Sequence, residues 1–232
     1  MHESALATGG AFFERYVTGA TPRIIEVGSR DVNGSLRSMA PVNAQYIGVD
    51  LEAGPGVDRV LEDPYVLPFE DGFFDAVVST SCFEHTPFFW LAFLEQVRVL
   101  AAGGHLYASA PANGWYHGYP FDHWRFYPDA GLALESWSRR NGHALTLIES
   151  FVGPQAGSIW NDYVMVFERS EPPLPREQFV VDAFPGAYNI RRFDTDKLQN
   201  FQVQSEDERK ICDLEMKNFV LAKRLRESNL QK

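Results

Sequence analysis

Two glycines and an acid near the N-terminus have the spacing to hold a nucleoside. In "RIIEVGSRDVNGSLR", residues 23 to 37, an apolar run ends in Gly28, and Asp31 and Gly34 follow. Glycine tolerates positive φ and lets a ligand lie against the backbone, as a bulky cofactor over a strand-to-helix turn requires. Asp50 closes a second apolar run, "YIGVD", about twenty residues beyond the turn, where a carboxylate can accept hydrogen bonds from both hydroxyls of a ribose. A second group of residues could move protons: His85, and then His117, Asp122 and His123 within "NGWYHGYPFDHWRFYP", residues 113 to 128. Trp115 and Tyr119 in that segment have flat faces that suit a sugar or an aromatic ring, or that pack the segment onto the core. Arg125, between two aromatics, reads first as an internal clamp and second as a substrate ligand. No metal is expected, because His117, Asp122 and His123 meet no recognised ligand spacing. Cys82 reads as a packed thiol at a strand end.

These residues need a scaffold, and the apolar pattern supplies one. Ile24 to Val27, "YIGVD" (46 to 50), "VDRVL" (57 to 61), "FFDAVVSTS" (73 to 81) and "GHLYASAP" (104 to 111) read as five strands. "ALATGGAFFERYV" is an amphipathic helix weakened by Gly9 and Gly10. "PFFWLAFLEQVRVLAAGG" is a helix expected to stop at Gly103-Gly104, and "YPDAGLALESWSRRNG" one that stops at Gly142. "ALTLIESF" and "NDYVMVFER" close the pattern as an antiparallel hairpin expected at one edge. The alternation predicts an α/β fold: a doubly wound, mostly parallel seven-stranded sheet with that edge hairpin, plus a C-terminal helical tail. Ligands of such sheets bind at the carboxyl ends of the strands, where Gly28 and Asp50 fall.

The expected organisation is one domain over residues 1–169, an extended linker or arm over 170–204 beginning with the proline-rich "SEPPLPREQ", and a C-terminal helix over 205–228. Ile211, Leu214, Phe219, Ala222 and Leu225 form a rough stripe on that helix, which either caps the domain or joins two protomers as a homo-oligomer. Of the 232 residues, 45% are hydrophobic, which predicts a folded chain; no run is long enough to span a membrane, and the first residues lack a signal-peptide pattern. With only Cys82 and Cys212, a reducing, cytoplasmic setting is expected. Residues 1 to 166 hold nine Arg, no Lys and nineteen acidic side chains, so the net charge of −10 sits there and disfavours nucleic acid as a partner. A neutral or cationic small molecule is easier to hold.

From about Ile24 to Arg169, "LPFEDGFFDAVVSTSCFEHT" followed by "LEQVRVLAAGGHLYASAP" resembles the class I S-adenosylmethionine-dependent methyltransferases, with the segments in that family's order and spacing. The "YPFDHWRF" stretch resembles the "YPxDxWRF" segment of a subset of the family. The resemblance implies S-adenosylmethionine as cofactor, with Glu26, Gly28, Arg30 and Gly34 in its glycine loop. It places Asp50 and Leu51 at the ribose, Asp63 and Val66 at the adenine, and Ser79 at the methionine portion. It places His85 at the mouth between cofactor and acceptor, as a catalytic residue. The position of residues 113 to 128 just after the fifth strand adds His123 as a second catalytic candidate and turns His117, Trp115, Tyr119 and Arg125 toward the acceptor, expected to be a small polar molecule such as a sugar or glycosylated metabolite, methylated at oxygen. One departure stands out: Arg30 occupies the position of the family's middle glycine, and the last glycine comes late. A Cβ there would be strained if the position needed positive φ, so a rearranged loop is expected, with Arg30 pairing either with the cofactor carboxylate or with Asp31 or Glu52. Two other readings share the scaffold: a nicotinamide-dependent oxidoreductase, and a non-catalytic binding or assembly module of the same fold.

Overall fold

Ile24, Ile25, Glu26 and Val27 are all buried, as suits a strand covered on both faces, and the strand they form, β1 (Arg23–Val27), lies inside the sheet. The computed structural model describes residues 3–118 and 121–230, with side chains as far as residue 226. Parallel to β1 run β2 (Gln45–Asp50), β3 (Arg59–Val60), β4 (Phe74–Thr80) and β5 (Leu100–Pro111). β6 (Thr146–Val152) and β7 (Asp162–Glu168) form the antiparallel hairpin, and β8 (Tyr188–Arg192) and β9 (Thr195–Gln199) form another. Among the described residues the sheet has nine strands in the order β3-β2-β1-β4-β5-β7-β6-β8-β9.

The seven strands expected from the sequence are therefore nine, and the β6–β7 hairpin is not at the edge. β7 pairs with β5 from His105↔Glu168 to Pro111↔Asp162, and β6 is covered in turn by β8. One face carries α1 (Glu3–Tyr16), with Phe12, Phe13 and Tyr16 buried beside Leu36 and Phe179. The other carries α2 (Phe89–Val99) and α3 (Ala130–Arg140), through Phe93, Val97 and Leu134. Gly9, expected to weaken α1, has a packing reason: a Cβ there would lie 2.2 Å from Leu36 Cδ2. Between β1 and β2 the crossover is only a 3₁₀ turn, Leu36–Met39. α2 ends at Val99, short of the expected glycine stop, because Leu100 already pairs with Phe74 of β4.

Residues 170–201, expected as part of an extended arm, belong to the main unit, which runs to Phe201. The cause is a buried acid. Glu149 of β6 is fully inaccessible and accepts hydrogen bonds from the hydroxyl of Tyr16 and from the backbone N–H groups of Val180 (2.7 Å) and Val181 (3.0 Å). Burial raises its pKa, and those donors oppose the rise. Phe179 and Val180 are fully buried beside it. The second unit, Gln202–Lys232, contains α4 (Glu206–Leu230). Ser205 caps it, its Oγ accepting from Glu208 N while Glu208 Oε2 accepts from Ser205 N. Ile211, Leu214, Phe219 and Leu225 of its stripe are exposed. No helix among the described residues is long and apolar enough to cross a membrane.

Candidate cofactor and active site

Strand register sets the carboxyl ends of β1, β2 and β4 side by side, since Val27 pairs with Val49 and Glu26 with Val78. Gly28 leaves β1 at φ +83°, and its N–H donates to Val49 O at 3.0 Å. A Cβ at Gly28 would sit 2.9 Å from Cys82 Cβ, so the turn closes against the residue that follows β4. The loop's second left-handed position is Gly34, at φ +109°, with its N–H held by Asp31 Oδ1 at 2.7 Å. Arg30 is not among the positive-φ residues, which explains how arginine is accommodated: the longer loop leaves both unusual conformations on glycines. Its guanidinium pairs with Glu52 at the surface.

Asp50 works as the buckle of this loop. Oδ2 accepts from Arg30 N at 3.0 Å, and Oδ1 accepts from Leu51 N at 2.7 Å and Glu52 N at 3.3 Å. Three of its four lone-pair directions are filled, leaving one on Oδ2. Leu51 beside it is exposed. Glu26 is buried and turned inward, accepting from Tyr46 Oη (2.9 Å) and Ser35 Oγ (3.3 Å); burial raises its pKa against those bonds. It braces the loop's far end. Ser79 is also turned inward, its hydroxyl donating to Val27 O at 3.1 Å, which ties β4 to β1. Asp63 and Val66 are exposed on a loop whose next residue, Leu67, is anchored to α2: Glu95 Oε2 accepts from Leu67 N at 2.8 Å, and Arg98 donates to Leu67 O at 2.7 Å.

Beyond β4 the chain enters a strained turn. Ser81 has φ +50°, a conformation that costs a non-glycine residue about 1–3 kcal/mol, and its N–H is fixed to Ser109 O of β5. Cys82 follows, and burial pushes its thiol up to about 11, so it is protonated and unreactive at neutral pH. The 3₁₀ turn Phe83–His85 then presents Glu84 and His85. The aromatic loop 113–128 is stitched to this turn: His123 N and Trp124 N donate to Glu84 O, at 2.7 and 3.3 Å, and Trp124 Nε1 donates to Thr86 O at 3.1 Å.

Two of the three candidate histidines meet. The rings of His85 and His117 are edge-on with centroids 5.1 Å apart. His85 Nδ1 faces Phe121 O and must donate to it, so Nε2 carries the lone pair; burial lowers this histidine's pKa and keeps it neutral. His123 stays apart, its ring stacked on Phe121. Arg125 is the internal clamp, donating to both oxygens of Asp122, to Trp115 O and to Trp124 O. Those bonds hold the Asp122 carboxyl well below the usual range. Trp115 is exposed beside Trp160, and Tyr119 lies outside the described residues. Sequence reading missed Glu84: its side chain is 2% exposed and burial pushes it up to about 8. "CFEHT" carries no sign of that burial. A cavity of about 340 Å³ adjoins the start of β7, lined by Ser4, Thr8, Gly153, Pro154, Asp162 and Phe184.

Residues 25–108 match a family model described as a methyltransferase domain. No curated protein matches the sequence. Among solved structures, the chain is similar to the Burkholderia thailandensis 1,6-didemethyltoxoflavin-N1-methyltransferase with bound 1,6-didemethyltoxoflavin and S-adenosylhomocysteine: TM-score 0.56, 14% identity, 72% of this chain and 80% of that one. It is similar also to geranyl diphosphate methyltransferase in complex with SAM, with TM-score 0.52 and 13% identity over 71% of this chain and 85% of that one. The [4+2]-cyclase SpnF shares the fold as well, with TM-score 0.51 and 16% identity over 70% and 80% of the two chains. The chain thus shares its fold with these proteins, and its residues 25–108 match the methyltransferase-domain model.

Proposed function

We propose that this protein transfers a methyl group from S-adenosylmethionine to an oxygen of a small polar acceptor, a sugar or glycosylated metabolite. The observation that carries the reading is the coincidence of the matched methyltransferase domain with the strand ends and following loops where Gly28, Gly34, Asp50 and Asp63 stand. The cofactor is S-adenosylmethionine. Its ribose meets the open side of Asp50, with exposed Leu51 and Val66 lining the base. Glu26 and Ser79 act from behind as braces of the loop and strand. Because the sulfonium methyl is already activated, the protein has to align the acceptor and dispose of one proton. His85 suits the second task, being neutral with a free Nε2; His123 does not share its cluster. The acceptor side belongs to loop 113–128, which lies beyond the matched residues, with Trp115, Tyr119 and His117 as its contacts and Arg125 committed to Asp122.

Calorimetric titration of the full chain with S-adenosylhomocysteine tests the reading. One molecule bound per chain is expected, and an absence of heat would overturn it. Binding of NAD instead would identify a nicotinamide enzyme, and binding of neither a non-catalytic module. Once an acceptor is found, His85→Ala should lower turnover while leaving cofactor affinity in place.

A further inference from the structure

Glu84, His85 and His117 each offer one ligand atom, and those atoms all lie within 4.8 Å of one another. Glu84 and His85 come from the turn after β4 and His117 from loop 113–128, the two segments joined through Glu84 O. Three features of the cluster point to an ion. Glu84 Oε2 is buried and has no hydrogen-bond partner among the described residues, a costly state for a carboxylate oxygen unless a proton or a cation meets it.

Each imidazole, moreover, is held by its other nitrogen. His85 Nδ1 donates to the carbonyl of Phe121, and His117 Nδ1 stands 3.0 Å from Asp122 Oδ2, with Asp122 itself gripped by Arg125. Arg125 Nη2 also lies 3.3 Å from that Nδ1, but the nearer carboxylate is the stronger acceptor and assigns the Nδ1 proton. Both Nε2 atoms are then lone-pair donors, backed by a carbonyl and a carboxylate as metal-ligating histidines are. The third feature is electrostatic: Asp162 and Asp122 act on Glu84 as like charges, opposed by the guanidinium of Arg125.

We propose that Glu84, His85 and His117 form a site for a divalent transition ion, zinc by preference, with its open positions turned to the acceptor. Two imidazoles and one carboxylate suit zinc and its neighbours, and three protein ligands are the number that catalytic sites use. His85 Nε2 lies 3.7 Å from Glu84 Oε1, close to the roughly 3.4 Å between ligands on a tetrahedral ion with bonds of about 2.1 Å. The sequence pointed to His117, Asp122 and His123 and found no ligand pattern; the fold replaces the last two with Glu84 and His85, and Asp122 becomes the support of a ligand.

The site goes beyond the methyl-transfer reading and its existence does not rest on it. Where both hold, His85 Nε2 is committed to the ion and no longer takes the proton itself; an acceptor hydroxyl on the ion loses its proton to solvent more readily instead. Its oxygen then bonds to the methyl carbon as the carbon–sulfur bond breaks, and the sulfonium becomes a neutral thioether.

The test is calorimetric titration of zinc(II) into the full chain after treatment with a chelator. One ion per chain should bind with Kd below about 10 μM. His85→Ala and His117→Ala should each weaken binding by at least about 100-fold, and Asp122→Asn by about 10- to 100-fold. His143→Ala, outside the cluster, should leave it unchanged. Circular dichroism accompanies each variant, and if one alanine variant unfolds, the other and Asp122→Asn decide. No zinc binding by the wild-type chain, or equal affinity in the folded variants, would overturn the proposal. S-adenosylhomocysteine affinity measured on the same samples separates the two readings: zinc binding without it removes methyl transfer alone, and the converse removes the metal site alone.

Discussion

Asp50→Ala is the substitution that asks most of the proposed cofactor site. The carboxylate already accepts three backbone N–H groups, so it has one lone-pair direction left, on Oδ2. One charge-assisted hydrogen bond to a ribose hydroxyl is worth about 1.5–3 kcal/mol, a loss of about 10- to 150-fold in affinity. The three N–H groups are partly exposed and find water in the variant, so the stability cost should stay near about 1–3 kcal/mol. Asp50→Asn separates the two effects. Its amide oxygen can still serve Leu51 and Glu52, but its NH₂ then faces the N–H of Arg30, donor against donor. Calorimetry with S-adenosylhomocysteine, and denaturant unfolding of the free protein, measure affinity and stability apart. Wild-type affinity in Asp50→Ala would refute the ribose assignment, and lost affinity accompanied by a collapse in stability would show that Asp50 acts only on the loop.

Gly28→Ala should cost about 2–3 kcal/mol, from the left-handed φ and from a Cβ 2.9 Å from that of Cys82; Cys82→Ala in the same chain should recover part of the unfolding midpoint, and an unshifted midpoint in Gly28→Ala refutes the geometry. A chain ending at Ser170 should be insoluble, because it removes Phe179 and Val180, each worth about 1.5–3 kcal/mol of burial, and the two N–H donors to Glu149; a soluble, cooperatively unfolding product would contradict this. Burial works to raise the Glu95 carboxyl, but bonds from Arg98 and Leu67 N outweigh it and hold the pKa low. Its stabilising share is therefore complete above the ordinary carboxylate range and fades as pH falls through the depressed folded value. Urea midpoints between about pH 6 and pH 3 should fall less steeply in Glu95→Gln than in wild type; parallel slopes would count against it.

The parallel strands were readable because their apolar runs are short and bounded by glycine or an acid, as at Val27-Gly28 and Val49-Asp50. The β8–β9 hairpin was not, because residues 178 to 200 have no period of their own. Phe179 and Val180 are placed by Glu149, some thirty residues away, and a fully buried carboxylate looks in sequence like any surface glutamate. Glu84 was hidden for the same reason. Asp50 and the two glycines were visible since their roles are local to the turn. Arg30 was ambiguous until its φ and its partner Glu52 were fixed by the folded loop.

The placement of β8 and β9 also bears on whether another chain can add to the sheet. Without them β6, all seven residues of which are buried, would offer its unpaired backbone as a template for another chain. The hairpin moves the open rim outward to β9, a five-residue strand, "TDKLQ", that carries Asp196 and Lys197 and exposes Lys197 to solvent. Charge on a short outermost strand discourages a neighbour from docking in register, so this piece of chain guards the sheet against aggregation.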